Sequence, residues 1–171
     1  MHQDVRVLVV DEEHQVRTVA AMQLRKAGIT AEAASTAKEA LERVSRADID
    51  IVIVDVGLNH PKEGFELADS IHGLDPEIPV IFFTGDRDAV RDHYPYAPLI
   101  AKPHTERSLL RVVRAEIQRL CTHRLVKKTH DMIKVHIDDT TAHPQSFVDL
   151  IMRDIKQPVV RALLLVCGTL L

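Results

Sequence analysis

Cysteine is scarce in this chain. Only Cys121 and Cys167 occur among 171 residues; they form no C-x-x-C pair and suggest no disulfide framework. That scarcity favours a reducing, cytoplasmic setting. Both read as small apolar fillers rather than reactive thiols. An excess of positive charge is missing too. Net charge is -3, so binding of nucleic acid through bulk charge is not expected. Long apolar runs are also lacking. The longest, around Ala162–Val166, is too short to span a bilayer, and the N-terminus MHQDVRVLVV has no signal-peptide pattern, so no membrane partner is expected. There is no internal repeat and no low-complexity segment. What is present fits a folded domain: 46% hydrophobic and 27% charged residues, in a chain long enough for one full domain and an extension.

Apolar runs alternate with helical patterns. Val5–Val10 (VRVLVV) is β-branched and continuous, which predicts a strand. Val16, Val19, Ala20, Leu24 and Ala27 follow at helical spacing, with Gly28 placed as a C-cap. A short strand is expected near Ala31–Ala34. Thr36 and Glu39 form a capping-box pattern ahead of Ala40, Leu41 and Val44. Ile51–Val54 and Val80–Phe83 are strands of the same kind as the first. Phe65, Ala68 and Ile71 mark a helix between them. Leu99–Ala101 is a short last strand, and Thr105 opens a long helix through Leu109, Val113, Ile117 and Leu120. Repeated β-α units of this kind predict an α/β fold with a parallel sheet covered on both faces.

Ligands of such sheets sit beyond the carboxyl ends of the strands. The residues found there are Asp11 and Glu12 after the first strand, Asp55 after the third, Thr84 after the fourth and Lys102 after the fifth. Like charges stacked as in Asp11-Glu12-Glu13 repel unless a cation or water takes up the field. A cation between the acids accounts for them. Carboxylates with water and a backbone carbonyl are the hard-oxygen shell of Mg²⁺. Asp55 is then placed to attack phosphorus and form an aspartyl-phosphate. The Lys102 ammonium and the Thr84 hydroxyl would neutralise the transferring group. Taken singly, each of these residues has an ordinary reading: acids at a helix start, a strand-end threonine, an exposed lysine. The joint pattern decides.

The stretches VLVVDEE, IVIVDVGL, VIFFTG and PLIAKP together resemble the response-regulator receiver family, over about residues 4–122. The resemblance implies a doubly wound, flavodoxin-like sheet of five parallel strands in the order 2-1-3-4-5. It implies Asp55 as phosphoacceptor, a histidine kinase or phosphotransfer protein as partner, and Mg²⁺ as cofactor. Asp11, Glu12, Asp55 and the Gly57 carbonyl are the metal ligands it implies; Thr84 and Lys102 are its hydroxyl and lysine. Departures from the family are visible. The aromatic switch position holds Leu99, and His104 stands where phenylalanine is usual. VGLNHPKEG is one residue longer than the commonest form. The segment from Thr84 to Lys102 is several residues short, so a truncated or irregular fourth helix is expected.

About 50 residues follow Cys121, with seven Lys/Arg and five Asp, and no recognition-helix signature. Three parts are expected: a receiver at 1–122, a helical linker at 123–144 and an amphipathic helix at 145–171. Val126, His130, Ile133 and Ile137 keep a coiled-coil spacing. The last segment has a wide apolar face and is expected to dimerise. Its RDIKQP stretch resembles the first helix of a histidine-kinase dimerisation domain, with Arg153 in place of the phosphoacceptor histidine. Arginine stays protonated and is a poor nucleophile. His130, His136 and His143 lack metal-ligand spacing and read as surface residues, with His130 also weighed as an alternative acceptor. Three functions follow from different classes: a phosphorylation-driven signalling switch, a receiver-fold scaffold that no longer switches or regulatory module of a degenerate histidine-kinase-like protein, and a metal-dependent hydrolase. For the last, no substrate-pocket motif is present.

Overall fold

A computed structural model of the chain describes residues 5–46 and 49–139. Five strands alternate with five helices in chain order: β1 (Arg6–Val10), α1 (His14–Lys26), β2 (Thr30–Ala34), α2 (Ala37–Val44), β3 (Ile51–Asp55), α3 (Glu63–Leu74), β4 (Val80–Thr84), α4 (Arg87–His93), β5 (Leu99–Ala101) and α5 (Glu106–Asp139). The strands form one parallel sheet in the order β2-β1-β3-β4-β5. The expected doubly wound α/β fold is the one observed.

Side-chain alternation divides the core into two layers. Leu8, Val10, Val52, Val54, Val80 and Phe82 pack toward α2, α3 and α4. Val7, Val9, Ile51, Ile53, Ile81, Phe83 and Ile100 pack toward α1 and α5. Successive residues of a strand point to opposite faces, so strands buried on both sides read as continuous apolar runs. That is why VRVLVV and IVIV were legible without any alternation.

The helix ends have local causes. Gly28 adopts φ 80, the left-handed conformation that ends α1, and its N–H bonds the Arg25 carbonyl. Thr36 caps α2 by accepting from the Glu39 N–H at 3.2 Å. Glu39 reaches back one residue further than the usual box, to the Ser35 N–H at 2.9 Å. That bond and the Arg43 guanidinium draw the Glu39 carboxyl below its ordinary pKa, against the opposing effect of burial. α4 is short, at seven residues, but regular. Of the two alternatives expected there, truncated or irregular, its length agrees with the first.

The chain divides into two compact units, Met1–Cys121 and Thr122–Leu171. Within the first, Leu109, Val113 and Leu120 of α5 join the core. Cys121 is exposed, which corrects its reading as an apolar filler. It falls one position past Leu120 on the helix, and so turns away from the buried stripe. His130 is exposed, as expected, and Val126 is half exposed. Arg153, Cys167, His143 and the dimerisation helix expected at 145–171 lie outside the described residues, as does the side chain of His136. Among the described residues no helix is long and apolar enough to cross a membrane.

Candidate active site: an acidic rim bridged by one lysine

The register of the sheet carries the rim. Val10 of β1 lies opposite Val54 of β3, Asp55 opposite Phe83, and Thr84 opposite Ala101. Asp11, Asp55, Thr84 and Lys102 therefore end their strands at nearly one level. Their faces differ. Asp55 follows Ile51 and Ile53, and Lys102 follows Ile100, all on the α1/α5 side. Thr84 follows Val80 and Phe82, on the α2/α3/α4 side. Period-two alternation thus groups the acids with the lysine and sets the hydroxyl apart.

The three consecutive acids after β1 are not equivalent. Asp11 is fully buried, while Glu12 and Glu13 are exposed. Both oxygens of Asp11 are engaged. Oδ1 accepts the Glu13 N–H at 2.8 Å, and Oδ2 accepts from Lys102 Nζ at 2.8 Å. The same ammonium lies 2.9 Å from Asp55 Oδ1. A carboxylate withdrawn from water is costly unless it is paired and hydrogen-bonded, and Lys102 supplies that pairing from 91 residues away. Burial works against the lysine's charge. Its hydrogen bonds to Asp11 and Asp55 outweigh this and hold its pKa above the ordinary lysine value.

Asp55 is fixed from behind. The Val56 N–H bonds the Phe83 carbonyl at 3.0 Å, and the Gly64 N–H bonds the Val56 carbonyl at 3.1 Å. A Cβ on Gly64 would lie 2.2 Å from the Asp55 carbonyl oxygen, so only glycine lets α3 approach this closely. Sequence reasoning missed Gly64. The chain around it, PKEGFE, reads as an ordinary loop entering a helix.

Thr84 is buried, and its hydroxyl is already occupied. It donates to the Asp86 carbonyl at 2.6 Å and accepts from the Asp86 N–H at 2.8 Å. The Asp86 carboxylate caps α4, accepting from the Asp88 and Ala89 N–H groups at 3.0 and 3.1 Å. Leu99 is partly buried and lies opposite Phe82 in the β4–β5 register. The aromatic in this neighbourhood comes from elsewhere. The Tyr94 ring, just past α4, sits 5.0 Å from that of Phe82 and 6.1 Å from that of Phe65. Its hydroxyl donates to the Asp69 carboxylate. Burial and that bond push the Tyr94 pKa up to about 12.

His104 lies beside the rim with its ring 4.9 Å from that of Phe83. Its Nε2 is buried and has no hydrogen-bond partner. Burial, then the Lys102 charge, lowers its pKa against a smaller opposing pull from Asp11. Along α5 runs an open groove of about 770 Å³, lined by Arg107, Leu110, Arg111 and Arg114 among others. None of the rim residues lines it.

The donor set can be tested against Mg²⁺. Among the described residues no three His, Cys, Asp or Glu side chains cluster as a metal site. Two carboxylates, Asp11 and Asp55, do converge, and both meet one cation. Mg²⁺ is commonly held by one or two carboxylates and completes its shell with water, so this hard-oxygen pair fits it. Glu12 and Gly57 are exposed at the ends of β1 and β3, and the Glu12 carboxylate has no bond to the rim among the described residues.

A parallel five-stranded sheet with paired acids, a hydroxyl and a lysine at its carboxyl rim describes a receiver. The chain belongs to the response regulator receiver domain family, whose pattern matches residues 7–114. It is 28% identical to the regulatory protein VanR of Enterococcus faecium over 140 residues, which is 77% of this chain and 58% of VanR. It is 26% identical to the response regulator receiver protein CpdR of Brucella abortus over 113 residues, 61% of this chain and 90% of CpdR. A crystal structure of a CheY-like receiver domain protein from Methanospirillum hungatei is 25% identical, with a TM-score of 0.63 over 70% of this chain and 98% of that one. The chain thus spans a little over half the length of VanR and nearly all of CpdR.

Proposed function

We propose that this receiver takes a phosphoryl group on Asp55 from a histidine kinase or phosphotransfer protein, with Mg²⁺ required, as part of two-component signalling. The observation that carries the reading is the Lys102 ammonium held at 2.8 and 2.9 Å between the Asp11 and Asp55 carboxylates. An Asp55 oxygen forms the new O–P bond as the donor's P–N bond breaks. The departing imidazole leaves with the electron pair. Lys102, already at Asp55, neutralises charge growing on one phosphoryl oxygen, where a preorganised donor acts without reorganisation. Bound Mg²⁺, held by Asp11, Asp55 and the Gly57 carbonyl with Glu12 alongside, would neutralise further charge on the transferring group. Thr84 is the responding group. To reach a phosphoryl oxygen its hydroxyl must release the Asp86 carbonyl, and the β4–α4 turn must move with it. Output through homodimerisation and a cytoplasmic location belong to the same proposal.

The test is intact mass after incubation with Mg²⁺ and a small-molecule phosphodonor. One added phosphoryl group, absent without metal and in Asp55→Ala, is the expected result. Folded wild-type protein that takes up none overturns the reading. In that case the scaffold reading gains. The observations on its side are Leu99 at the aromatic position and the Thr84 hydroxyl bound within its own turn.

A further inference from the structure

The turn between β1 and α1 presents an accounting problem. Asp11 and Glu12 precede the helix, so their carbonyl oxygens lie outside its ladder of hydrogen bonds. The N-cap residue, Glu13, gives no side-chain cap. Three acids stand here in sequence, and the macrodipole accounts for acids at a helix start but not for how the main chain is held. One side chain closes the account. Arg17, one turn into α1, folds back and donates from Nη1 to the Asp11 carbonyl at 3.2 Å and to the Glu12 carbonyl at 3.0 Å. Its Nη2 lies 3.2 Å from His14 Nδ1.

The turn is therefore gripped from two sides. Lys102 and the Glu13 N–H hold the Asp11 carboxylate, and Arg17 holds the main chain of Asp11 and Glu12. Carbonyls of consecutive residues bonded to one guanidinium fix the two peptide planes that meet at the Glu12 Cα. Together those planes set the direction in which the Glu12 side chain leaves the backbone. Glu12 is exposed and has no partner of its own among the described residues, so nothing else orients it. Both bonds run from the one nitrogen Nη1, and the contact of Nη2 with His14 Nδ1 steadies the guanidinium plane, a support that a flexible ammonium lacks.

We infer that Arg17 is a positioning residue for the acidic rim: by clamping the Asp11 and Glu12 carbonyls it holds both carboxylates in place for a divalent cation. The inference rests on the proposed function, and it assigns Arg17 no contact with the phosphoryl group. Loss of a group that orients metal ligands typically weakens metal binding by about tenfold to a hundredfold.

The experiment measures Mg²⁺ binding to the full chain by titration calorimetry in wild type, Arg17→Met and Arg17→Lys, with thermal melts in the absence of metal. Arg17→Met is expected to raise the Mg²⁺ dissociation constant by about tenfold. The Mg²⁺ concentration that half-saturates phosphoryl uptake should rise in step. Arg17→Lys, which keeps one donor nitrogen but not the second one held at His14, is expected to fall between the two and serves if Arg17→Met does not fold. Wild type and folded variants that bind Mg²⁺ equally overturn the inference and leave the phosphoacceptor reading standing. A lower melting temperature with unchanged Mg²⁺ affinity does the same, because it assigns Arg17 a structural role alone. Wild type that binds no Mg²⁺ removes both.

Discussion

The two halves of the rim are held in different ways. On the β1–β3–β5 side, Asp11, Asp55 and Lys102 are joined by ion pairs between residues far apart in sequence. On the β4–α4 side, Thr84, Asp86, Asp88 and Ala89 are joined by bonds between residues two or three apart. The first arrangement needs the whole sheet in register before it exists. The second forms within one turn. Removing a member of the first therefore strands a charge in a partly dry site, whereas bonds of the second exchange for one another at little cost. The proposed transfer to Asp55, with Thr84 responding, would draw on that division. The rim acids stay where the sheet puts them, and the hydroxyl has a local partner to leave.

The sharpest way to break this comparison is Lys102→Met. It removes the single cation between two carboxylates, and phosphoryl uptake by Asp55 is expected to slow by about 10² to 10³-fold, the loss associated with one oxyanion-type donor. Uptake kinetics by mass spectrometry measure it, and a rate near wild type would show that the long-range pair is not what activates the rim. Gly64→Ala tests the same half without touching a charge. Its Cβ would press on the Asp55 carbonyl, so unfolding by denaturant should show a loss of about 3 kcal/mol, as for a strained overpacked site. Equal stability would mean that α3 shifts freely relative to β3.

On the β4–α4 side the expected effects are smaller. Asp86→Ala deletes the cap of a seven-residue helix and should cost about 1 kcal/mol of stability. The main-chain bonds that hold the Thr84 hydroxyl survive this substitution, so Asp55 should still be phosphorylated. Loss of phosphorylation in a folded Asp86→Ala protein would show that the two halves are not separable. His104→Phe has the smallest expected effect, and it is a gain. It removes a buried, unpartnered Nε2, and about 1 kcal/mol of added stability is expected near neutral pH. The histidine's pKa is lowered in the folded protein, so the unfolded chain binds the proton more tightly. Its penalty is absent well above the unfolded value of 6.5 and grows as pH falls through that value. The difference between His104→Phe and wild type should therefore widen below about pH 6.5, as read from denaturant midpoints across pH. A constant difference would place the histidine in contact with water.

Much of the site was legible because the fold repeats one rule. A strand buried on both faces reads as an apolar run, and the polar residue that stops it stands at the rim. Asp11, Asp55, Thr84 and Lys102 were found in that way, and Leu99 was recognised as a departure from the family. Three features were not legible. Cys121 looked apolar, but helix rotation turns it outward. Gly64 looked like a loop residue, although α3 depends on it to approach β3. Tyr94 gave no signal, since its contacts to Phe82, Phe65 and Asp69 join segments well separated in sequence.

The amino-acid sequence alone determined the kind and order of the elements, the two-faced burial of the sheet and the identity of the residues at its rim. These depend on local periodicity and solvation, which neighbouring residues encode. Only the tertiary structure decided which rim groups meet. The Lys102 N–H bonds the Thr84 carbonyl at 2.8 Å, yet its ammonium lies between Asp11 and Asp55, because β3 sits between β1 and β4 and alternation turns those side chains to one face. The Thr84 hydroxyl, one residue further along the opposite parity, is left to its own turn. Strand order and register are properties of the packed sheet, and a single segment carries no record of either.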